Sequence, residues 1–485
     1  MAHGFPVENI LLDRGGNAHL HRQLYTQLRG LIERRVLPSG SLLPSTRLLA
    51  RNLELGRNTV IAAYDQLALE GYLQTRQGAA PVVAVLQALV PAQGPARGAT
   101  AVNLSARGRI MAERPYHHGV PGLTAFHPGL PDADNFPFNT FSRLLTRRAK
   151  QARRDLFGTY HITGYPELCE ALARYLSASR GVNCRPEQIV VTNGAQAAFD
   201  LLARMLIDPG DTVWMEDPGY YGARNAMLTA GATLAPLRVD NGGWNLDPPE
   251  VAPRLIFVTP SCQHPLGLTM PMEQRLNLIR LAASWNAWII EDDYDSEYRF
   301  QGQPIPALQG IVGGGRVVFV GTFAKILFPA MRLGYMVVPE ALRADVTAAL
   351  SATGQFAPLI TQAALADFIN EGHLTRHLRR MRRLYAARRQ LFMDLAESHL
   401  SPWLTLNRTE SGIQLVGMFN GGLDDRAIAA AAAGQGVNVS PLSMQYRHET
   451  SMRGLVMGFA AAGEKTTRNA MAALRKVFKA AESGA

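Results

Sequence analysis

Lysine is scarce in this chain: five occur in 485 residues, against 44 arginines. Lys150 stands in an arginine-rich run and Lys465, Lys476 and Lys479 lie near the C-terminus, whereas Lys325 closes the stretch Gly321-Thr322-Phe323-Ala324-Lys325. A chain that writes nearly every cation as arginine keeps lysine mainly where guanidinium will not serve. The clearest such use is a Schiff base, because an amine can lose its proton and attack an aldehyde. Lys325 also follows Val317-Val318-Phe319-Val320, a β-branched and aromatic run that reads as a buried strand. A cation just past a buried strand needs a partner or a covalent task.

An aldehyde cofactor with a phosphate and a pyridine ring would need further groups, and the chain offers one of each. Asp292 ends the apolar run Trp288-Ile289-Ile290 and can stay ionised beside a pyridinium nitrogen. Tyr294, two residues on, lies on the same side of an extended chain and can hydrogen-bond a phenolic oxygen. Gly194-Ala195-Gln196 opens a helix whose backbone N–H groups make a phosphate seat. Thr322 and Arg332 can add a hydroxyl and a guanidinium there, and Tyr220 supplies an aromatic face for the ring.

These residues need a frame. From residue 123 to 485, apolar strand-like runs alternate with helical stretches: Ile189–Val191, Thr212–Met215, Leu255–Val258, Trp288–Ile290 and Val317–Val320. Such alternation predicts an α/β domain with a mainly parallel sheet, helices on both faces, and a smaller C-terminal subdomain. In such sheets ligands bind beyond the C-terminal strand ends, where all five polar clusters fall.

Residues 1–85 read differently. Leu20, Leu24, Leu28, Leu31 and Ile32 have helical spacing; Ser45 is an N-cap for a second helix, with Leu48, Leu49 and Leu53 as its apolar face. A third helix is expected from Arg57 to about Glu70, with Val60, Ala63, Tyr64 and Leu67 inward, then a small hairpin from Tyr72 to Val83. Three helices and a hairpin make a winged helix-turn-helix whose recognition helix would present Arg57-Asn58-Thr59 to the major groove. The segment carries nine arginines against six acids. Residues 86–122, rich in Ala, Pro, Gly and Arg, read as a linker, although Asn103–Ile110 could pack on a neighbouring domain.

The whole chain, 47% hydrophobic and 18% charged, has a globular composition. It shows no membrane-length apolar run and no signal-peptide pattern. Cys169, Cys184 and Cys262 form neither a disulfide framework nor a zinc spacing, so a reducing cytoplasm is the expected setting. The formal charge of +10 favours an anionic partner.

Taken together, Leu43-Pro44-Ser45-Thr46-Arg47, Arg57-Asn58-Thr59-Val60, Phe126 to Pro131, Glu216-Asp217-Pro218-Gly219-Tyr220, Val258 to Ser261, Ile289 to Glu297 and Gly321 to Tyr335 resemble the MocR-type regulators. These join a GntR-like winged helix to a domain similar to fold-type I aminotransferases. The resemblance implies pyridoxal 5′-phosphate as an internal aldimine on Lys325, with Asp292 at the ring nitrogen and Tyr294 at the phenolic oxygen. It implies contacts to double-stranded DNA from Thr46, Arg47, Arg57, Asn58 and Thr59, and a homodimer in which the DNA-binding domain of one chain packs on the large domain of the other. It implies a transcriptional regulator that senses the cofactor, or an amine or amino acid reacting with it; an active aminotransferase with an appended DNA-binding module is the alternative. Arg447 and Arg453 are the candidates for an effector carboxylate, and the spacing does not choose between them. Arg376, Arg379, Arg380, Arg382 and Arg383 fit either a second anion surface or a solvated helix face. Where the family usually has serine before the lysine this chain has Ala324, and where it has phenylalanine this chain has His264.

Overall fold

Leucines at three- and four-residue spacing bury one face of each helix at the start of the chain. In the computed structural model, which describes residues 5, 7–16, 18–75, 79–85, 103–113, 125–151, 153–303, 305–311, 315–407, 409–448, 450 and 452–483, these are α1 (Leu20–Glu33), α2 (Thr46–Asn52) and α3 (Arg57–Leu69). Leu24, Leu28, Leu31 and Ile32 pack with Leu49, Val60, Ala63, Tyr64 and Leu67 in one core, each burial contributing about 1.5–3 kcal/mol for the larger side chains. The Ser45 hydroxyl accepts from the Leu48 N–H at 3.3 Å, which caps α2 as its sequence predicts. Leu48 itself is 47% exposed, contrary to the expected apolar face, because the helix that turns Leu49 fully inward turns its neighbour out. Strands β1 (Leu73–Gln74) and β2 (Val82–Val83) pair antiparallel as the wing, and Leu42 bridges to Val82. The wing tip at 76–78 and most of the expected linker, 86–102 and 114–122, lie outside the described residues.

Two units emerge, Met1–Asn103 and Leu104–Ala485. The second begins with α4 (Ala106–Glu113), a helix inside the stretch read as linker. Helices α5 (Phe138–Gln151), α6 (Arg153–Phe157) and α7 (Pro166–Arg180) lead into β3 (Ile189–Thr192), α8 (Ala195–Leu206), β4 (Thr212–Asp217), α9 (Tyr221–Ala230), β5 (Thr233–Asp240) and β6 (Gly243–Trp244). There follow β7 (Leu255–Val258), α10 (Met272–Ser284), β8 (Trp288–Asp293), α11 (Leu308–Ile311), β9 (Val317–Thr322) and β10 (Gly334–Val337). Helix α4 packs against α9.

The eight strands run in the order β3-β10-β9-β8-β7-β4-β5-β6. Strands β9, β8, β7, β4 and β5 are mutually parallel, whereas β10 is antiparallel to both its neighbours and β6 is antiparallel to β5. Strands β3, β4, β7, β8 and β9 are buried almost throughout, as continuous apolar runs require when helices cover both faces, whereas β5 is exposed or half-buried along its first half. On one face Val190, Val213, Phe257, Ile290 and Val320 meet Phe199, Leu202 and Met227; on the other Trp214, Ile256 and Ile289 meet Leu278 and Ala282.

The chain then passes through α12 (Glu340–Thr353), α13 (Leu359–Asn370) and the long α14 (His373–Leu400) into a smaller α/β subdomain. Its elements are β11 (Leu404–Leu406), β12 (Gln414–Phe419), α15 (Asp425–Gly434), β13 (Ser440–Pro441), β14 (Gly454–Gly458) and α16 (Glu464–Ser483), with the sheet order β11-β12-β14-β13. Among the described residues no helix is long and apolar enough to cross a membrane, and no group of His, Cys, Asp and Glu could hold a metal ion.

Candidate functional site

The carboxyl end of β3 sets the first corner. Gly194 caps α8 at φ 88° and ψ 167°, a conformation that is essentially restricted to glycine, and no side chain caps the helix there. The first N–H groups of α8, at Ala195 and Gln196, have no side-chain cap, the kind of helix start that can seat an anion, whereas the Ala197 N–H donates to the Gly194 carbonyl at 3.2 Å. Strand β10 brings the other groups to this seat, since Gly334 lies opposite both Thr192 on β3 and Thr322 on β9. A Cβ on Gly334 would sit 2.8 Å from the Ala195 nitrogen, so only glycine lets β10 pass this close. Arg332, at φ 48°, donates to the Asn193 carbonyl at 3.3 Å, and its guanidinium lies 3.8–3.9 Å from where a Gly194 Cβ would be. Thr322 Oγ1 accepts from the Ala324 N–H at 3.2 Å. Gln196 contributes its backbone; its side chain turns away to donate to the Gly222 carbonyl at 2.9 Å.

Lys325 points elsewhere from this corner. Its Nζ donates to the Gly129 carbonyl at 2.7 Å, and Gly129 holds φ 62° where a Cβ would lie 2.5 Å from that nitrogen. Asp292 is 4% exposed on β8, and its Oδ1 has no hydrogen-bond partner among the described residues. Burial, then Asp293, Glu216 and Asp295, hold its carboxyl well above the usual carboxylate range, while Lys325 pulls it down. A buried acceptor left open beside an amine is the arrangement a protonated ring nitrogen would complete, so these residues fit a pyridine aldehyde.

Aromatic rings line the same space. His264 lies edge-on between Tyr220 (5.5 Å, 81°) and Tyr294 (6.0 Å, 77°). Burial first, then the positive charges of Lys325 and Arg224, push the His264 imidazole down to about 4. Tyr294 donates to Cys262 Sγ at 3.6 Å. The structure thus places Asp292 and His264 in the field of Lys325, with Tyr220 and Tyr294 on either side of His264, and brings Gly194, Ala195, Thr322 and Arg332 to the start of α8.

Several supporting residues escaped the reading of the sequence. Glu216 is fully enclosed and accepts from Trp244 Nε1 (2.7 Å), the Thr259 N–H (2.9 Å) and the Thr259 hydroxyl (2.5 Å), tying three strands together. Burial raises its carboxyl to about 7. Arg180 pairs with Asp293 at 2.6 Å, both buried, and fixes the strand end beside Asp292. Glu216 belongs to a stretch already singled out, whereas Arg180, in a helix more than a hundred residues from its partner, carried no local signal. The two arginines expected for a carboxylate are placed otherwise. The Arg453 guanidinium donates to the Thr450 and Met452 carbonyls beside its own strand, and Arg447 gives its backbone N–H to Asp217 while its side chain is exposed.

In the first unit, α3 begins at Arg57 after Gly56, with no side-chain cap. Arg47, Arg57 and Asn58 are exposed and Thr46 and Thr59 half-buried, so the start of α3 presents a cation beside its uncapped N–H groups. Of the seven arginines of α14, Arg376, Arg379, Arg380, Arg382 and Arg383 are exposed, whereas Arg388 is half-buried and Arg389 buried.

A winged helix with its recognition helix open at the N-terminus, together with an aminotransferase-type sheet bearing a lysine at its carboxyl edge, defines a transcriptional regulator built on an enzyme fold. The comparisons agree: residues 20–83 match the bacterial regulatory proteins of the gntR family, and residues 132–474 match aminotransferase class I and II. The chain belongs to the MocR-type regulators of the GntR family. It is 50% identical, over 98% of its length and 97% of the relative's, to the probable rhizopine catabolism regulatory protein MocR of Rhizobium meliloti. It is 31% identical to the pyridoxine biosynthesis transcriptional regulator PdxR of Corynebacterium glutamicum, over 92% of this chain and 93% of that one. Among solved structures, an archaeal alanine:glyoxylate aminotransferase superposes with a TM-score of 0.68 at 26% identity, covering 77% of this chain and 93% of the other.

Proposed function

We propose that this regulator binds pyridoxal 5′-phosphate on Lys325 and uses that site to sense the cofactor or an amino compound, changing how its winged helix engages operator DNA. When bound, the cofactor supplies an aldehyde carbon reactive toward amines and a ring that withdraws electrons. Asp292 would hold the ring nitrogen and Tyr294 the phenolic oxygen, with the Tyr220 ring against the cofactor face. The N–H groups of Gly194, Ala195 and Gln196, the Thr322 hydroxyl and the Arg332 guanidinium would hold the phosphate. Thr46, Arg47, Arg57, Asn58 and Thr59 would meet DNA, the protein acting in the cytoplasm as a homodimer with exchanged domains.

The observation that carries this reading is the unpartnered Asp292 Oδ1, buried and within the field of Lys325. The large unit would act as a sensor, without steady turnover. Residual transamination is the competing outcome, because the Lys325 amine can also move a proton. Adding pyridoxal 5′-phosphate to the purified protein should produce a visible absorbance band that survives dialysis, and Lys325→Ala should lack it while still binding DNA. A band of equal strength in Lys325→Ala would refute the assignment, and multiple turnovers with an amino donor and a keto acceptor would establish an enzyme instead.

A further inference from the structure

Away from Lys325, three arginines from three elements wall one small recess: Arg180 closes α7, Arg275 lies in α10, and Arg299 follows β8. Arg275 is fully enclosed, Arg180 is 6% exposed, and the Arg299 side chain is 14% exposed. The recess lies at a seam of the large unit. Ser411, in the turn between β11 and β12, brings the C-terminal subdomain to it: Arg299 and Ser411 form an isolated antiparallel bridge, and the Ser411 hydroxyl donates to the Ser261 carbonyl at 3.4 Å.

The wall consists almost entirely of donors. Arg180 donates to Asp293 (2.6 Å), the Ile305 carbonyl (3.3 Å) and the Ser261 hydroxyl. Arg275 donates to the Met270, Pro306 and Pro260 carbonyls at 2.8–3.0 Å. Arg299 donates to Thr269 Oγ1 at 3.2 Å and to Glu410, while its Nε is buried without a partner among the described residues. A guanidinium carries more N–H donors than these bonds use. Ser261, Thr269, Ser296 and Ser411 add hydroxyls, and Ile305 is the only apolar residue of the wall among the described residues.

No carboxylate lines the recess among the described residues. Asp293 accepts from Arg180 and from the Ser296 hydroxyl at 2.9 Å, Glu291 accepts from the Leu308 and Gln309 N–H groups at 2.8 and 3.1 Å, and Glu410 is exposed. Glu297 also acts on Arg180, but burial raises its carboxyl to about 7 and so leaves it partly neutral. Burial, then the charges of Arg180 and Arg299, lower the Arg275 guanidinium from its usual value, against the upward pull of Glu291 and Asp293. Three cations thus crowd one space and repel. The residues around that space leave room for about one water-sized particle, too little for a tetrahedral oxoanion. A water molecule would bring two protons to a wall of donors, whereas a halide ion accepts on every side and carries none.

We infer that this recess binds one small monovalent anion, a halide such as chloride, held by the Arg180, Arg275 and Arg299 guanidinium groups and the Ser261 and Ser411 hydroxyls, and that the ion ties the C-terminal subdomain to the first sheet. The site stands apart from the cofactor assignment and does not depend on it.

The test follows the thermal midpoint of the full-length, cofactor-free protein as chloride replaces gluconate at constant ionic strength, gluconate being too large for the recess. The midpoint should rise by about 2 °C or more and level off as one site fills. Arg299→Gln removes one of the three cations and should cut that rise by at least about half. Equal midpoints in the two salts throughout, or an undiminished rise in the variant, overturn the inference. Crystals of the unaltered protein soaked in sodium bromide should show an anomalous peak within hydrogen-bonding reach of all three guanidinium groups, a result that stands even if the variant does not fold. Bromide found only elsewhere on the molecule overturns the inference.

Discussion

His264 shows how one side chain sets the acid limit of the site. Its ring is wedged edge-on between Tyr220 and Tyr294 and shares the enclosure with Lys325 and Arg224, so protonation would add a third cation to a dry space. With the folded value at about 4 and the unfolded one near 6.5, the neutral ring contributes stability that is complete above pH 6.5 and is lost as pH falls toward 4. His264→Phe keeps the aromatic packing and removes the titration. Thermal midpoints of the cofactor-free proteins at pH 7.5 and 4.5 should therefore show a smaller drop in the variant, with up to about 3 kcal/mol at stake; parallel curves would show that the imidazole does not titrate in this window. Legibility at this scale follows chain position. Lys325 and Asp292 were readable because each is a rare or costly type at the end of an apolar run. Gln414, whose Oε1 lies 3.5 Å from the point where a Gly129 Cβ would meet the Lys325 Nζ, was not, because it stands 89 residues beyond Lys325 in a subdomain whose return to the site leaves no local trace.

The elements that were easiest to read are those whose burial is uniform. All five predicted strands exist at the predicted places, because strands covered by helices on both faces carry continuous apolar runs, while β5, parallel but mostly exposed or half-buried, carries none. Strand β10 was not read: Gly334-Tyr335-Met336-Val337 is short, begins with glycine, and follows the Arg332 turn with no spacer. Its insertion between β3 and β9 is nevertheless what brings Thr322 and Arg332 to the start of α8. The turn from β3 into α8 is the vulnerable piece of that construction. Gly194→Ala would force alanine into a backbone region costing about 1–3 kcal/mol and place a methyl against the Arg332 guanidinium. It should raise the concentration of pyridoxal 5′-phosphate needed to saturate the protein by about 10-fold or more. Gly210→Ala serves as the control, since Gly210 has a similar φ of 97° but nothing within 4 Å of its Cβ. If the control weakens cofactor binding as much as Gly194→Ala, general backbone strain and not the anion seat is responsible.

At the scale of the whole molecule, two units with separate cores carry two chemistries. The small unit was legible almost residue by residue, because three short amphipathic helices admit few packings and Ser45, Gly56 and Gly71 mark their ends. The large unit was legible in class from its strand-and-helix alternation, but not in the way the C-terminal subdomain brings Gln414 near Lys325 and Gln445 into hydrogen-bond contact with His264. Separate cores predict separable defects. Arg57 is exposed at the open end of α3 and belongs to no core, so Arg57→Ala should leave folding and the cofactor band intact. A guanidinium forked onto a guanine edge discriminates bases by about 1–3 kcal/mol, so binding to an operator selected from random DNA should weaken by that amount and the preference at one position should relax. A phosphate contact behaves otherwise: affinity falls equally for all sequences and the dependence on salt becomes shallower by about one ion. Measuring the selected operator and a single-base variant at two salt concentrations separates these outcomes. Unchanged affinity for both DNAs would remove Arg57 from the interface and leave Arg47 and Asn58 to account for recognition.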